Sequence, residues 1–177
     1  MAVRGVRKKN NYSPVKYNAD SLVALAREKG YVEGDMLNIT KLIEEMGLIL
    51  VPQDLPSDIS GELQKVNGQW TIIVNKTHSI NRQRYTIAHE LGHYCLHKDF
   101  KEIFQDTTFF RREKDWTSIE YEANSFAANI LMPKDAIESA IDNDVITLKE
   151  LSDRFGVSMV AMKNRLLSLN YKLVGDE

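Results

Sequence analysis

The stretch from Arg84 to His97 reads RYTIAHELGHYCLH, and the interpretation of the whole chain depends on it. Within it, His89-Glu90-Leu91-Gly92-His93 has the form HExxH. Residues four apart on an α-helix are separated by about 40° and one turn, so both imidazoles can reach one ion. The alternative is a helix whose two histidines only pack or face solvent. With 4 histidines in 177 residues, chance is a poor explanation of the spacing.

Zinc suits this histidine pair because it accepts neutral imidazole and has no strong geometric preference. Glu90 lies beside the ligand face, where a carboxylate can take a proton from the attacking water. We therefore expect His89 and His93 to be metal ligands, Glu90 to be the catalytic base and Zn²⁺ to be the cofactor.

A third protein ligand is needed, and His97 lies four residues after His93 on the same helix face. However, it is two turns, about 12 Å along the axis, from His89, which is unfavourable for sharing one ion. The spacing that supplies a third histidine in metzincins is also absent. We interpret His97 as a residue that orients a ligand or packs against it.

The segment TSIEYEANSFAANILMP, residues 117–133, predicts a second helix that ends at its proline. Glu120 and Asn124 lie at the edge of its apolar stripe, whereas Glu122 points toward solvent. A carboxylate on the core side of a helix needs a partner, and a metal is one. We expect Glu120 to be the third ligand and Asn124 to orient a ligand histidine. The stripe consists of Ala123, Phe126, Ala127, Ile130 and Leu131.

Glu120 also has a simpler interpretation. Thr117-Ser118-Ile119-Glu120 has the form of a capping box, in which the glutamate only satisfies the first turn of the helix. The HExxH pattern favours the ligand role, because two histidines without a third protein ligand make an incomplete site.

Apolar spacing around these motifs predicts a small sheet and several helices. ELQKV and QWTIIVN flank Asn67-Gly68, the pair best suited to a type I′ hairpin turn. A short strand is expected at residues 48–51, ended by Pro52. The order of elements predicts an α+β fold with a small antiparallel sheet packed against several helices. Helices are predicted at residues 20–29, 36–46, 79–98, 117–132, 135–142, 148–155 and 158–169.

Taken together, RYTIAHELGHYCLH and ExEANSFAANILMP resemble the ImmA/IrrE family of zinc metallo-endopeptidases. The resemblance implies a zincin-like fold, with zinc bound by His89, His93 and the glutamate three positions before the Ala-Asn pair. That glutamate is Glu120, and Glu90 matches the general base of the family. Several members cleave helix-turn-helix repressors, so the resemblance also implies such a transcriptional repressor as the protein substrate.

The chain divides into a basic flexible tail (residues 1–19), a zincin-like metallopeptidase domain (20–141) and a C-terminal helical segment (142–177). The last has a helix-turn-helix pattern with its turn at residues 155–158. DNA-reading versions usually have a basic second helix, and this one carries only Lys163 and Arg165. We expect the pair to pack on the enzyme or to dock a protein partner, without direct nucleic-acid binding.

Composition is that of a globular protein, with 43% hydrophobic and 27% charged residues, and a net charge of −2 does not favour a nucleic-acid binder. The single cysteine, Cys95, excludes an intrachain disulfide and favours a reducing compartment. Neither a signal-peptide core nor a segment long enough to span a bilayer is evident. We expect a cytoplasmic protein that does not bind membranes.

The first hypothesis is therefore a zinc endopeptidase with a regulatory role. Two other classes stay open, a DNA-binding regulator with a structural or vestigial metal site and a toxin of a toxin–antitoxin pair. The strand Trp70–Asn75 is either a sheet edge that pairs with an extended substrate or an ordinary structural strand. Residues 99–116 are long for a structureless loop and suggest a lid or binding segment. Candidates for stabilising the oxyanion are Tyr85, His97, Tyr121, Arg82 and Arg84, the two arginines being alternatively solvated.

Overall fold

The computed structural model describes residues 17–99, 103–107 and 118–173. Most of the basic tail and much of the 99–116 segment lie outside these ranges. The helices are α1 Ala19–Glu28, α2 Ile39–Glu45, α3 Ile80–His97, α4 Ser118–Leu131, α5 Lys134–Asp142, α6 Leu148–Phe155 and α7 Met159–Ser168. The strands are β1 Val32–Glu33, β2 Met36–Leu37, β3 Ile49–Gln53, β4 Ile59–Val66, β5 Gln69–Asn75 and β6 Ile103–Thr107. The α+β class is confirmed.

The main sheet has the strand order β3-β5-β4-β6. Strands β4 and β5 form the predicted hairpin, and Asn67 and Gly68 both have positive φ, at 49° and 83°, as a type I′ turn requires. Strand β6 pairs antiparallel with β4, whereas β3 pairs parallel with β5. The parallel pair was not predicted; it arises because the chain passes from β3 to the far side of β5 before the hairpin forms.

The position of β5 inside the sheet overturns one hypothesis. Its backbone pairs with β3 on one side and with β4 on the other, so residues 70–75 are not a sheet edge. Among the strands described, β3 and β6 are the edges of this sheet. Strand β3 also continues through Pro52 to Gln53, because an edge strand tolerates a residue without an N–H.

The helix predicted at residues 36–46 begins later than expected. Met36 and Leu37 pair with β1 as a small antiparallel ribbon, and the helix starts only at Ile39. The side chain of Asn38 accepts a hydrogen bond from the backbone N–H of Lys41 at 3.1 Å. This N-cap fixes the start of α2 and separates the ribbon from the helix.

Helix α3 lies between the sheet and α4, at the centre of one apolar cluster that extends from α1 to α7. The five stripe residues of α4 are all buried, as predicted. In the ranges described, no helix combines the length and the apolar character that a membrane crossing requires.

Helices α6 and α7 are docked on the start of α3 and the end of α4. The guanidinium of Arg84 donates to the carbonyl oxygens of Gly156 at 2.9 Å and Phe155 at 3.4 Å. Asn81 donates to the carbonyl oxygen of Val157 at 3.0 Å. The carbonyls of the helix-turn-helix-like turn are therefore hydrogen bonded to the helix that bears the HExxH motif.

Candidate metal centre

The buried face of α3 carries four ionisable side chains in an otherwise apolar interior. Their relative exposures are 3% for His89, 0% for Glu90, 1% for His93 and 2% for His97. Burying such groups is costly unless each finds a partner. Their presence on one helix therefore indicates a site rather than ordinary core packing.

The three predicted ligands are brought together. The Nε2 atoms of His89 and His93 are 3.0 Å apart. Oε2 of Glu120 lies 3.3 Å from Nε2 of His89, and Oε1 of Glu120 lies 3.4 Å from Nε2 of His93. One donor atom from each residue falls within 4.8 Å of the others, a spacing compatible with one bound ion. Thr117, on which the capping-box alternative depends, lies outside the described residues.

Close packing of α4 on α3 places Glu120 beside the histidines. A Cβ at Gly92 would lie 3.1 Å from Cα of Ala123, 3.2 Å from its carbonyl oxygen and 3.2 Å from Cβ of Phe126. Glycine inside a helix costs about 1 kcal/mol relative to alanine. Here it allows the two backbones to approach closely enough for the glutamate to reach the pair.

The charges in this cluster suit a cation. Burial lowers the pKa of His93, which outweighs the opposing effect of Glu120, so the imidazole is neutral near pH 7 and offers a lone pair. Burial opposes ionisation of Glu120, but hydrogen bonds with His89 and His93 hold the pKa of its carboxyl well below its ordinary value. The centre thus combines an ionised carboxylate with a neutral imidazole.

Glu90 lies against the sheet. A Cβ at Gly61 of β4 would be 3.8 Å from Oε1 of Glu90, and only 2.5 Å from Cγ2 of Thr86 and 2.8 Å from the carbonyl oxygen of Ile73. Gly61 follows an irregularity in the β4–β6 pairing and leaves room for α3 at this point. The sequence interpretation missed this residue, although an isolated glycine in a strand often marks a bulge or a close approach.

His97 is not one of the three grouped donors, but it contacts His93, which is. Its Nδ1 lies 3.1 Å from Nδ1 of His93, and its Nε2 lies 3.1 Å from Oε2 of Glu122. Glu122 is exposed, as predicted, but its contact with His97 was not expected. The side-chain amide of Asn124 donates to the carbonyl oxygen of Glu120 at 3.0 Å, and its role toward a ligand histidine stays a prediction.

The remaining candidates separate by their contacts. Arg84 is occupied by the α6–α7 turn, and Arg82 donates to Oγ of Ser60 at 2.9 Å; the alternative that both are solvated is wrong, since both are partly buried. The Tyr85 hydroxyl lies 3.4 Å from the carbonyl oxygen of Asn124. Tyr121 is 66% exposed and adjoins Glu120 in the chain.

Cys95 lies on the same helix as His89 and His93 but is buried within the core. Burial raises the pKa of its thiol to about 12, so it stays protonated at neutral pH. It is an inert packing residue.

Two imidazole nitrogens and one carboxylate form a donor set used by catalytic zinc sites, in which a further position stays open. The residues present therefore fit a zinc ion. Among known proteins, the metallopeptidase ImmA of Bacillus subtilis (strain 168) is 28% identical over 106 residues, which are 59% of each chain. The chain thus spans less than two thirds of that relative. The family model described as the IrrE N-terminal-like domain, a peptidase family, matches residues 43–167. This chain therefore belongs to the ImmA/IrrE family.

Proposed function

We propose that this protein is a zinc-dependent endopeptidase in which His89, His93 and Glu120 hold the metal and Glu90 is the general base. The observation that carries the proposal is the convergence of three donor atoms within 4.8 Å in a largely apolar interior. Glu90 lies on the same helix, one residue after His89. The family relationship supports the same activity.

The division of labour follows from the chemistry of these side chains. A bound zinc would supply the positive charge that polarises a substrate carbonyl and makes water more acidic. Glu90 takes a proton from the attacking water and later delivers it to the leaving amine. Its burial against Gly61 restricts the positions of its carboxylate. His89 and His93 need only stay neutral and oriented.

The substrate enters extended, because a peptidase of this kind binds peptide as an additional strand. Strand β5 is paired on both sides, whereas β6 is an edge among the strands described and pairs with β4, where Gly61 adjoins Glu90. Gly61 pairs with Asp106 of β6. We therefore assign substrate pairing to the edge formed by residues 103–107 in place of β5.

The substrate proper is a helix-turn-helix repressor in the cytoplasm, cut at an exposed or locally unfolded segment. The family resemblance supports this choice, and the single cysteine is consistent with a reducing compartment. Cutting a helical segment requires it to open first, at the cost of local unfolding. Selective cleavage of one repressor and weak activity on folded proteins follow.

Cleavage of repressors from the same genomic neighbourhood tests the proposal. The wild-type protein with zinc should yield discrete fragments, and a chelator should stop the reaction. Glu90→Gln should keep the metal but lose roughly 10²- to 10⁴-fold in rate, because an amide cannot accept the proton. Glu138→Gln, a change at an exposed site on α5, is the matched control. Undiminished cleavage by Glu90→Gln would refute the mechanism, and rapid digestion of casein would refute a dedicated regulatory role.

A further inference from the structure

We propose that His97 and Glu122 form a hydrogen-bonded chain that fixes the proton of His93 on Nδ1 and turns Nε2 toward the metal. The proposal rests on the proposed function, in which His93 binds zinc. The chain runs from Oε2 of Glu122 to Nε2 of His97 over 3.1 Å, and from Nδ1 of His97 to Nδ1 of His93 over 3.1 Å. It ends at Nε2 of His93, which faces Glu120.

The chemistry of neutral imidazole allows one arrangement of protons along this chain. Each ring has one N–H donor and one acceptor nitrogen. When Nε2 of His93 binds a metal, the proton must lie on Nδ1, which then donates to Nδ1 of His97. That nitrogen is an acceptor, so His97 carries its proton on Nε2 and donates it to Glu122. Every hydrogen-bonding position along the chain is then satisfied.

The location of each residue explains its place in the chain. His97 is 2% exposed, so water is a poor substitute for it as the acceptor for His93. A side chain without an acceptor would remove this hydrogen bond from the buried N–H of His93, and losing a buried hydrogen bond is costly. Glu122 is 54% exposed at its side chain, so water can partly replace its carboxylate. His97 should therefore contribute more than Glu122 does.

The hydrogen-bonded chain depends on the spacing of residues along α3 and on the packing of α3 against α4. His93 and His97 are four residues apart on α3 and lie on one face. Glu120 and Glu122 both come from the first turns of α4, and each contacts a different part of the histidine row. One helix thus supplies a third ligand through Glu120 and a positioning residue through Glu122.

Zinc affinity and the hydrogen bond itself are the two measurements. His97→Met, of similar bulk but without ring nitrogens, should weaken zinc binding roughly 10- to 100-fold in a competition titration. His97→Gln, which keeps an acceptor and a donor, should recover most of the loss. Glu122→Ala should fall at or below the lower end, about tenfold, and Glu122→Gln should stay near wild type. Glu138→Ala, at another exposed glutamate, is the matched control.

Nitrogen NMR of the zinc-loaded, ¹⁵N-labelled protein reports the bond directly. One proton should couple to Nδ1 of His93 and across the hydrogen bond to Nδ1 of His97, and the coupling should vanish in His97→Met. Absence of that coupling in wild type, together with unchanged zinc affinity in Glu122→Ala and in any folded His97→Met, would overturn the chain and leave the proposed function standing. Failure of the wild-type protein to bind zinc would instead overturn the proposed function and the chain with it.

Discussion

Two helix pairs of this molecule are built on opposite principles. Helix α3 carries three buried histidines and the buried Glu90, α4 places Glu120 beside the histidines, and Gly92 allows the close approach of the two helices. Helices α6 and α7 bury mainly apolar side chains and are held by hydrogen bonds from Arg84 and Asn81 to turn carbonyls. The interior of the first pair contains ionisable side chains, which are not needed for packing. The interior of the second pair contains mainly the apolar side chains that packing needs.

This difference indicates that the candidate functional site lies between α3 and α4 and not in the α6–α7 pair. The helix-turn-helix pattern of α6–α7 suggests DNA binding, but that suggestion comes from the sequence alone. DNA-reading helices contact bases with their first residues, and at the start of α7 the exposed residues Met159 and Val160 are apolar. In the last turn of α7, Arg165 donates to the carbonyl oxygen of Met132 at 3.0 Å. The contacts described attach the helical pair to the core, and the absence of DNA binding stays a prediction.

The largest expected effect comes from removing the histidines of the first pair. The double variant His89→Ala, His93→Ala should bind no zinc, because a single carboxylate cannot hold the ion alone. Elemental analysis and a competition titration would measure this. Lys163→Ala, in the second pair, should bind zinc like wild type. Bound zinc at wild-type levels in the double variant would show that His89 and His93 do not hold the metal.

A smaller effect is expected from Gly92→Ala. The added methyl group would lie 3.1–3.2 Å from the backbone of Ala123, and α4 would have to shift, carrying Glu120 away from the histidines. Overpacking of this kind costs about 1–3 kcal/mol, against a gain of about 1 kcal/mol in helix propensity. Zinc affinity should fall, as measured by titration, and the free energy of unfolding should not rise.

The control for that change is Ser139→Ala, an exposed substitution in α5, which should alter neither quantity. A Gly92→Ala protein that is more stable than wild type and binds zinc equally well would show that close packing of α3 and α4 does not position Glu120.

Arg84 of α3 holds the turn of the second pair, so Arg84→Ala should affect stability rather than metal binding. It removes hydrogen bonds from a guanidinium to the carbonyls of Gly156 and Phe155, and bonds to charged groups contribute about 1.5–3 kcal/mol each. Urea unfolding should shift to lower concentration while zinc content stays at one ion per chain. Loss of zinc without loss of stability would place Arg84 in the metal centre and reverse the distinction between the pairs.

The smallest expected effect is on DNA. Tight, non-specific binding to duplex DNA depends on neutralising phosphates and falls steeply with salt, and this chain has a net charge of −2 with few cations on α7. The full-length protein should show no tight, salt-sensitive binding in a fluorescence titration with duplex DNA. Such binding, reduced by Lys163→Ala, would restore the DNA-reading hypothesis for α6–α7.

Local periodicity accounts for what could be predicted. The HExxH spacing and the apolar stripe of α4 depend on residues a few positions apart, and both predict how their helices face the core. The hairpin turn at Asn67-Gly68 was predictable for the same reason. The family resemblance and the wheel position converged on Glu120 for the third ligand, which the structure brings next to His89 and His93.

What could not be predicted depends on contacts distant in sequence. The pairing of β3 with β5 is not encoded in either strand alone, so the edge assigned to residues 70–75 was wrong. The contact of His97 with Glu122 joins residues 25 positions apart and needs the crossing of α3 and α4. The start of α2 was misplaced because the side-chain cap at Asn38 outweighed the apolar spacing of residues 36–46.

A crystal structure with anomalous data at the zinc edge would show whether His89, His93 and Glu120 hold one zinc ion. We expect one anomalous peak per chain, about 2.0–2.2 Å from Nε2 of each histidine and from a carboxylate oxygen of Glu120. His97 should remain outside the coordination sphere, hydrogen bonded to His93. A peak bound by His97 or Glu122 in place of Glu120, or no peak after zinc loading, would rule out this metal site.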